Sequence, residues 1–394
     1  MTMKVAIFTG TISLQRENTD VRKLYILERL KHLQEFKVQL EIITPQANKC
    51  NLPSFENGVY NTYKFINRKH LKLISTIIYP ISKILKLNCE LIHCYTYHAA
   101  ILAWFINNFR KQKYLIIFEP MGLAYEESKL DRKSSFKVKV MRPFIKYTEK
   151  ITFKKSDAVA VYTHILKKYV SQKFDIDTKK VYVIPHGINL NTPTIDKAKK
   201  SFILDKLNLP KKNKIVMYGG SLSELHGTPY LMEAIKYVNK KKQNVSFLIL
   251  GRGVLENTLD NYIKKNKITN VYLLGFVPLE DMEIYLSLAD ILLIPHAKCM
   301  QTDLDQPTKL FEYVASGKPI VSFNLKAIAE VVGNNAILVE PDNPKALADG
   351  ILKLIDDEKL CRELGEKGQT ISKEYSWEIS AKKQFELYKE LYGN

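Results

Sequence analysis

Cysteine is scarce in this chain. Five residues, at positions 50, 89, 94, 299 and 361, include no C-x-x-C pair in 394 residues. That excludes a disulfide scaffold and a cysteine-based zinc site, and predicts reduced, mostly buried thiols in a cytoplasmic protein. Long apolar runs are missing too: the longest, near Leu73–Ile81 and His98–Phe105, fall well short of a membrane span. The opening MTMKVAIFTG reads as a strand and not as a signal peptide. No H-x-x-x-H or H-E-x-x-H spacing occurs among the eight histidines, and Asp303 with Asp305 is only an isolated D-x-D, so no metal is expected. A Walker-type G-x-x-x-x-G-K-[ST] loop and a G-x-S-x-G elbow are both absent. Gly251-x-Gly253 begins a dinucleotide fingerprint, but Glu256 stands where its third glycine belongs, which disfavours a nicotinamide dehydrogenase.

What is present is a globular composition, 46% hydrophobic and 26% charged, in a chain long enough for two domains. The net charge of +19 is lopsided. Residues 1–200 hold 35 Lys and Arg against 16 Asp and Glu, whereas residues 201–394 hold 25 of each. The first half therefore suits an anionic partner: a membrane surface, a nucleic acid or a phosphorylated substrate. Lysine supplies most of the excess, which favours neither base readout nor bidentate phosphate clamps. A merely solubilising lysine surface is the plainer reading.

Short apolar runs alternate with amphipathic segments along the chain. Strands are expected at Lys4–Thr9, Val38–Thr44, Glu90–Tyr95, Tyr114–Phe118, Ala158–Tyr162 and Val181–Ile184, with helices between. Glu119 follows the Tyr114–Phe118 strand, at the end where ligands collect in open parallel sheets. Between Tyr60 and Leu87, lysines and Arg68 interleave with apolar residues. As a helix broken at Pro80, His70–Leu87 would lie on an anionic bilayer or pack over the sheet with its lysines in water. Phe136–Lys155 is a second basic helix. Asn189–Lys200 has no periodicity and reads as a linker. The second half repeats the pattern with strands near Lys214, Val245, Val271, Asp290 and Pro319, and ends in three helices, Pro344–Ile355, Lys359–Lys373 and Trp377–Tyr392. The expected architecture is α/β: two doubly wound, Rossmann-like parallel-sheet domains, with the default site in the cleft between them.

Two stretches carry chemistry. In DLDQPTKLFEYVASGKPIVS, Asp303 to Ser322, a helix over Thr308–Ala315 puts Lys309 and Glu312 three apart on one face. A cation beside a carboxylate there suits a ligand bearing phosphate and hydroxyls, and equally describes a plain surface ion pair. Gly219-Gly220-Ser221 joins a strand to a helix; such glycines let backbone N–H groups approach an anion, or simply make a tight turn.

Several stretches together resemble retaining glycosyltransferases of family 4, the GT-B type with two Rossmann-like domains. They are VIPHGIN (183–189), YGGSLSELHGTPYLMEAI (218–235), FLILGRGVLENTL (247–259), VYLLGFVPLEDMEIYLSLADILLIP (271–295), QPTKLFEYVASGKPIV (306–321) and YSWEISAKKQFELY (375–388). The first half is similar only in general pattern. The resemblance implies an acceptor-binding domain over 1–195, a nucleotide-sugar donor domain over 196–375, and a helix over 376–394 crossing back to the first. It implies that Glu312 meets the ribose hydroxyls, that Gly275, Phe276 and Val277 meet the base, and that Gly220 and Ser221 lie under the diphosphate. Asp305, Thr308 and Leu310 would line the same site. The family often has basic residues where Ser221 and His226 stand, so Lys309 and Arg252 are the expected substitutes. Its first motif acid falls on Leu304, flanked by Asp303 and Asp305. Glu119 takes the place of the usual first-domain histidine, with His98 as a second catalytic candidate.

The implied function is transfer of a sugar from a nucleotide-diphosphate sugar (UDP or GDP) to an acceptor hydroxyl with retention, without a required cofactor, in polysaccharide, glycolipid or lipid-linked glycan synthesis. The implied location is cytoplasmic, peripheral on the inner membrane face. The competing readings are a nucleotide-sugar epimerase on the same fold and a non-catalytic basic protein binding anionic membrane or nucleic acid. No recognised nucleic-acid module is present.

Overall fold

A computed structural model describes residues 3–12, 14, 21–46, 54–55, 58–64, 77–130, 136–190 and 197–393. The chain forms two compact units, Met1–Gly187 with Trp377–Asn394, and Ile188–Ser376.

The first unit is built on a seven-stranded sheet: β1 (Lys4–Phe8), β2 (Gln39–Gln46), β3 (Gly58–Lys64), β4 (Leu91–Cys94), β5 (Leu115–Phe118), β6 (Ala158–Val161) and β7 (Val181–Val183). Its order is β3-β2-β1-β4-β5-β6-β7, and every pairing is parallel. Sequences such as LIHC and AVAV are buried at every position, as strands covered on both faces must be. The second unit holds β8 (Lys214–Gly219), β9 (Val245–Leu250), β10 (Val271–Gly275), β11 (Ile291–Ile294), β12 (Ile320–Phe323) and β13 (Ile337–Val339), in the order β10-β9-β8-β11-β12-β13, again all parallel. Both orders reverse direction once, between β1 and β4 and between β8 and β11. Loops diverge there and open a crevice at the carboxyl ends of the strands.

The lysine-rich stretch and the expected linker take more definite form. Tyr60–Lys64, at the head of the lysine-rich stretch, belongs to edge strand β3, paired with β2; of the helix expected over His70–Leu87, residues 70–76 lie outside the described residues and Tyr79–Ile84 is helical. Pro80 lies in the first turn of the Tyr79–Ile84 helix, where a residue needs no N–H. The segment read as a linker becomes helical from Lys197 to Leu207, while 191–196 lie outside the described residues. The Phe136–Lys155 helix runs as expected and accommodates Pro143 inside it.

The C-terminal helix, Trp377–Gly393, packs within the first unit. Phe385 stacks on Phe36 with centroids 4.6 Å apart, and the Ser380 hydroxyl donates to the Pro185 carbonyl at 2.7 Å.

Candidate donor site and a buried polar knot

Register places the second unit's glycine loops side by side. Gly219 at the end of β8 pairs with Leu250 at the end of β9, and Leu250 pairs with Gly275 at the end of β10. The loops beyond are stitched by their backbones: Gly220 N–H donates to the Leu250 carbonyl (2.9 Å), Leu222 N–H to the Arg252 carbonyl (2.9 Å), and Gly251 N–H to the Gly275 carbonyl (2.6 Å). Gly220 has φ +144°, and a Cβ there would strike the Lys309 ammonium and the Tyr218 hydroxyl. Glycine at 220 is thus required twice, by the backbone and by the side chain beneath it.

Lys309 opens the Lys309–Ala315 helix. Its stem is half-buried, but its Nζ is wholly buried, has no hydrogen-bond partner among the described residues, and sits 4.6 Å from the centroid of the Tyr218 ring. Burial pulls its pKa down to about 7, against a smaller opposing pull from Glu312. Burial likewise pushes the Glu312 carboxyl up to about 7, with Lys309 opposing and Glu283 adding to the rise. The two side chains do not form a salt bridge in the structure, which removes the plain surface-pair reading. An ammonium held over a ring but without a hydrogen-bond acceptor among the described residues, beneath glycine loops at the carboxyl edge of a sheet, is suited to an incoming anion.

Two histidines join this group. His226 and His296 meet edge-on at 4.9 Å between centroids; Ser223 Oγ lies 2.8 Å from His226 Nδ1, and His296 Nε2 is buried without a partner among the described residues. Burial, reinforced by Lys309, lowers the His226 pKa to about 4 and that of His296 well below the usual value. His296 and Tyr218 escaped the sequence reading. The available signal was position: His296 follows Pro295 at the end of β11, directly across the switch point from the β8 loop.

Among the other expected site residues, Arg252 reaches over Gly275, its Nε 3.6 Å from where a Cβ would stand. Phe276 is exposed and Val277 half-buried, so both are open to a ligand. Ser221 presents its carbonyl to the Tyr218 hydroxyl at 2.7 Å. Thr308 is exposed at the helix start and Asp305 terminates the Met300–Leu304 helix. Leu310 is a correction: its side chain is fully buried in the unit's core, so only its backbone can meet a ligand. Leu304 is also buried, an apolar residue where the family's acid would project.

In the first unit Glu119 is likewise a correction, because it does not face an open site. Its carboxylate takes two bonds from the Arg29 guanidinium (2.8 Å each) and one from the Tyr25 hydroxyl (3.0 Å), with His93 Nε2 at 3.1 Å, and both ionic partners are fully buried. Burial by itself would raise its pKa; Arg29 and His93 outweigh that and hold the carboxyl below its ordinary value. Arg29 also donates to Gln384 at 2.9 Å, and His93 Nδ1 lies 2.8 Å from the Tyr388 hydroxyl, both residues of the C-terminal helix. Such a carboxylate positions; it does not touch substrate. His98 is half-buried in the first turn of the Tyr97–Asn107 helix, its ring edge-on to Phe8 at 6.4 Å. Among the described residues no group of three His, Cys, Asp or Glu side chains could hold a metal ion, and no helix is long and apolar enough to cross a membrane.

Two family models match the chain, Glycosyl transferases group 1 over residues 199–371 and Glycosyltransferase Family 4 over residues 24–192. The chain belongs to the group 1 glycosyltransferases. Its two all-parallel α/β units are those of the GT-B fold. An uncharacterised glycosyltransferase of Methanocaldococcus jannaschii is 26% identical over 229 residues, covering 57% of this chain and 58% of that protein. The poly(ribitol-phosphate) alpha-N-acetylglucosaminyltransferase of Staphylococcus aureus is 24% identical over 350 residues, covering 86% of this chain and 63% of that protein. This chain therefore spans less than two thirds of either relative's length. In fold, this glycosyltransferase is similar to the sucrose-phosphate synthase of Thermosynechococcus elongatus (TM-score 0.78, 17% identity, 99% of each chain). It is also similar to Anabaena HepE solved with UDP-glucose (TM-score 0.70, 14% identity, 98% of this chain and 99% of that one).

Proposed function

We propose that this glycosyltransferase moves a sugar from a nucleotide-diphosphate sugar to an acceptor hydroxyl with retention at the anomeric carbon. The reaction serves synthesis of a polysaccharide, glycolipid or lipid-linked glycan and needs no metal. The observation that carries the reading is the unpartnered Lys309 ammonium beneath Gly220. Lys309 and the backbone N–H groups about Ser221 meet the diphosphate as it departs with its developing negative charge. Glu312 accepts from the ribose hydroxyls, and the backbone of Gly275–Val277 meets the base. Arg252, across Gly275, and the His226–His296 pair complete the polar surroundings. The basic first unit takes the acceptor, with His98 as its catalytic candidate, and its charge suits work at an anionic membrane face. HepE, whose solved structure holds UDP-glucose, gives the donor class by analogy.

Donor binding is tested by thermal unfolding against a panel of UDP- and GDP-sugars. A matching donor at about 100 times its Kd stabilises by about 2.7 kcal/mol, a rise of several degrees. Glu312→Ala loses most of that protection. A flat response across the panel would overturn the reading.

Binding is also coupled to protons. In the free protein Lys309 titrates near 7, and a diphosphate raises that value by favouring the charged form. At pH 8 the free lysine is largely neutral and the bound one charged, so binding takes up close to one proton. Affinity falls about tenfold per pH unit above 7 until the bound-state pKa is reached. Calorimetry in buffers of different ionisation enthalpy reads the uptake, and Lys309→Met abolishes it.

A further inference from the structure

The Phe136–Lys155 helix wears its apolar residues on the outside. Phe136 (82% exposed), Val140 (59%), Phe144 (58%) and Tyr147 (63%) follow one another at spacings of four, four and three. They therefore form a single stripe. The opposite side, with Glu149 and Phe153 buried, packs onto the unit. Lys139, Lys146 and Lys150, all exposed, run along one edge of the stripe. Over these twenty residues there are seven Lys and Arg and one acid, Glu149, which is turned inward. A helix that has already buried one face and leaves a second apolar face in water has another partner.

We propose that this outer face docks on an anionic lipid bilayer, with Phe136, Val140, Phe144 and Tyr147 in the headgroup–acyl boundary and the lysine edge on the lipid phosphates. Charge decides the occupant. A second copy of the chain would bring one lysine edge against another, and the entire net charge of +19 lies in the half that carries the helix. A nucleic acid would meet the lysines but leave the apolar stripe uncovered. A bilayer satisfies both, since basic amphipathic helices lie in the interface with the apolar side inward. This deepens the membrane-face reading above without depending on which sugar is transferred.

The test is flotation of the full chain with vesicles of phosphatidylcholine alone and of phosphatidylcholine with about one third phosphatidylglycerol. Binding is expected to the anionic vesicles at least about tenfold more strongly, and to weaken with salt. The triple variant Phe136→Ser, Phe144→Ser, Tyr147→Ser and the triple variant Lys139→Glu, Lys146→Glu, Lys150→Glu each lose about tenfold or more. Phe144→Trp should show a blue-shifted indole emission with anionic vesicles only. Nucleotide-sugar protection against heat, read on the same variants, stays at the parent level and establishes that they fold. Equal binding to both vesicle types, unchanged partition of both triple variants, an unshifted emission from the Phe144→Trp variant, or a solution dimer dispersed by the serine variant would each overturn the proposal.

Discussion

Lys309→Met is expected to weaken catalysis and to strengthen the fold. No described residue accepts a hydrogen bond from the ammonium, which has only the Tyr218 ring and a weak pull from Glu312 to offset its burial, so replacing it with an apolar side chain of similar length removes a poorly compensated buried charge. The variant should unfold at a higher temperature than the parent at pH 6, where the lysine is charged. The difference should shrink towards pH 10. The sign follows from the pKa: the folded-state value near 7 lies below the ordinary 10.5. Between those values the unfolded chain holds the extra proton, so the parent's stability rises with pH across that window. Glu312 acts in the opposite sense, its value raised from 4.5 to about 7, and erodes stability as pH climbs through that interval. The pair thus makes the ligand-free protein weakest near neutrality. Catalysis is expected to fall about 10²–10³-fold in kcat/KM, the usual consequence of losing one charge-stabilising donor from a preorganised site. A variant more stable and equally active would show that Lys309 serves neither diphosphate nor transition state. Lys309→Arg is a poor rescue, because a planar guanidinium does not fit the space that Gly220 leaves over a single ammonium.

The second large effect belongs to the knot around Glu119. Arg29→Met leaves a buried carboxylate with its main partner gone, and the loss is expected at about 3–5 kcal/mol. For a unit of this size that lowers the melting temperature by roughly 10 °C. Arg29→Met with Glu119→Leu should recover much of it, because the double change removes the charge that the single change strands. Glu119 has a folded-state pKa below its ordinary value, so the stability it contributes is present above about pH 4.5 and is lost as pH falls further. Chemical or thermal denaturation of the singles and the double measures the coupling directly. If Glu119 instead met substrate, Glu119→Gln would cost activity at unchanged stability. The knot also fastens the chain end: Gln384 and Tyr388 reach it from the C-terminal helix, so damage there loosens that helix against the Val21–Leu33 helix.

Local pattern determined a large part of this protein. Buried apolar tetrads such as AVAV and ILLI read as strands of a covered parallel sheet, and the alternation with helices settled the architecture. The glycines at 220, 251 and 275 marked the loops at the strands' carboxyl ends. Lys309 and Glu312 stood out by their spacing. Where local signals were mixed, no element stood out: Tyr60–Lys64, basic and interleaved with apolar residues, is a strand because β2 offers it an open edge. The tertiary structure alone decided partnership. Glu119 stood at a functional-looking strand end, and only the approach of Arg29, ninety residues earlier, and Gln384, far later, made it part of a buried knot. Lys309 looked like half of a surface ion pair until packing against Tyr218 left its ammonium buried with no hydrogen-bond acceptor among the described residues. His296 had no motif, and it joined the site because β11 lies beside β8. Sequence records which groups are available, through periodicity and local backbone preference. Desolvation and pairing depend on neighbours distant in the chain, and those are what set Lys309 apart as the centre of the candidate site.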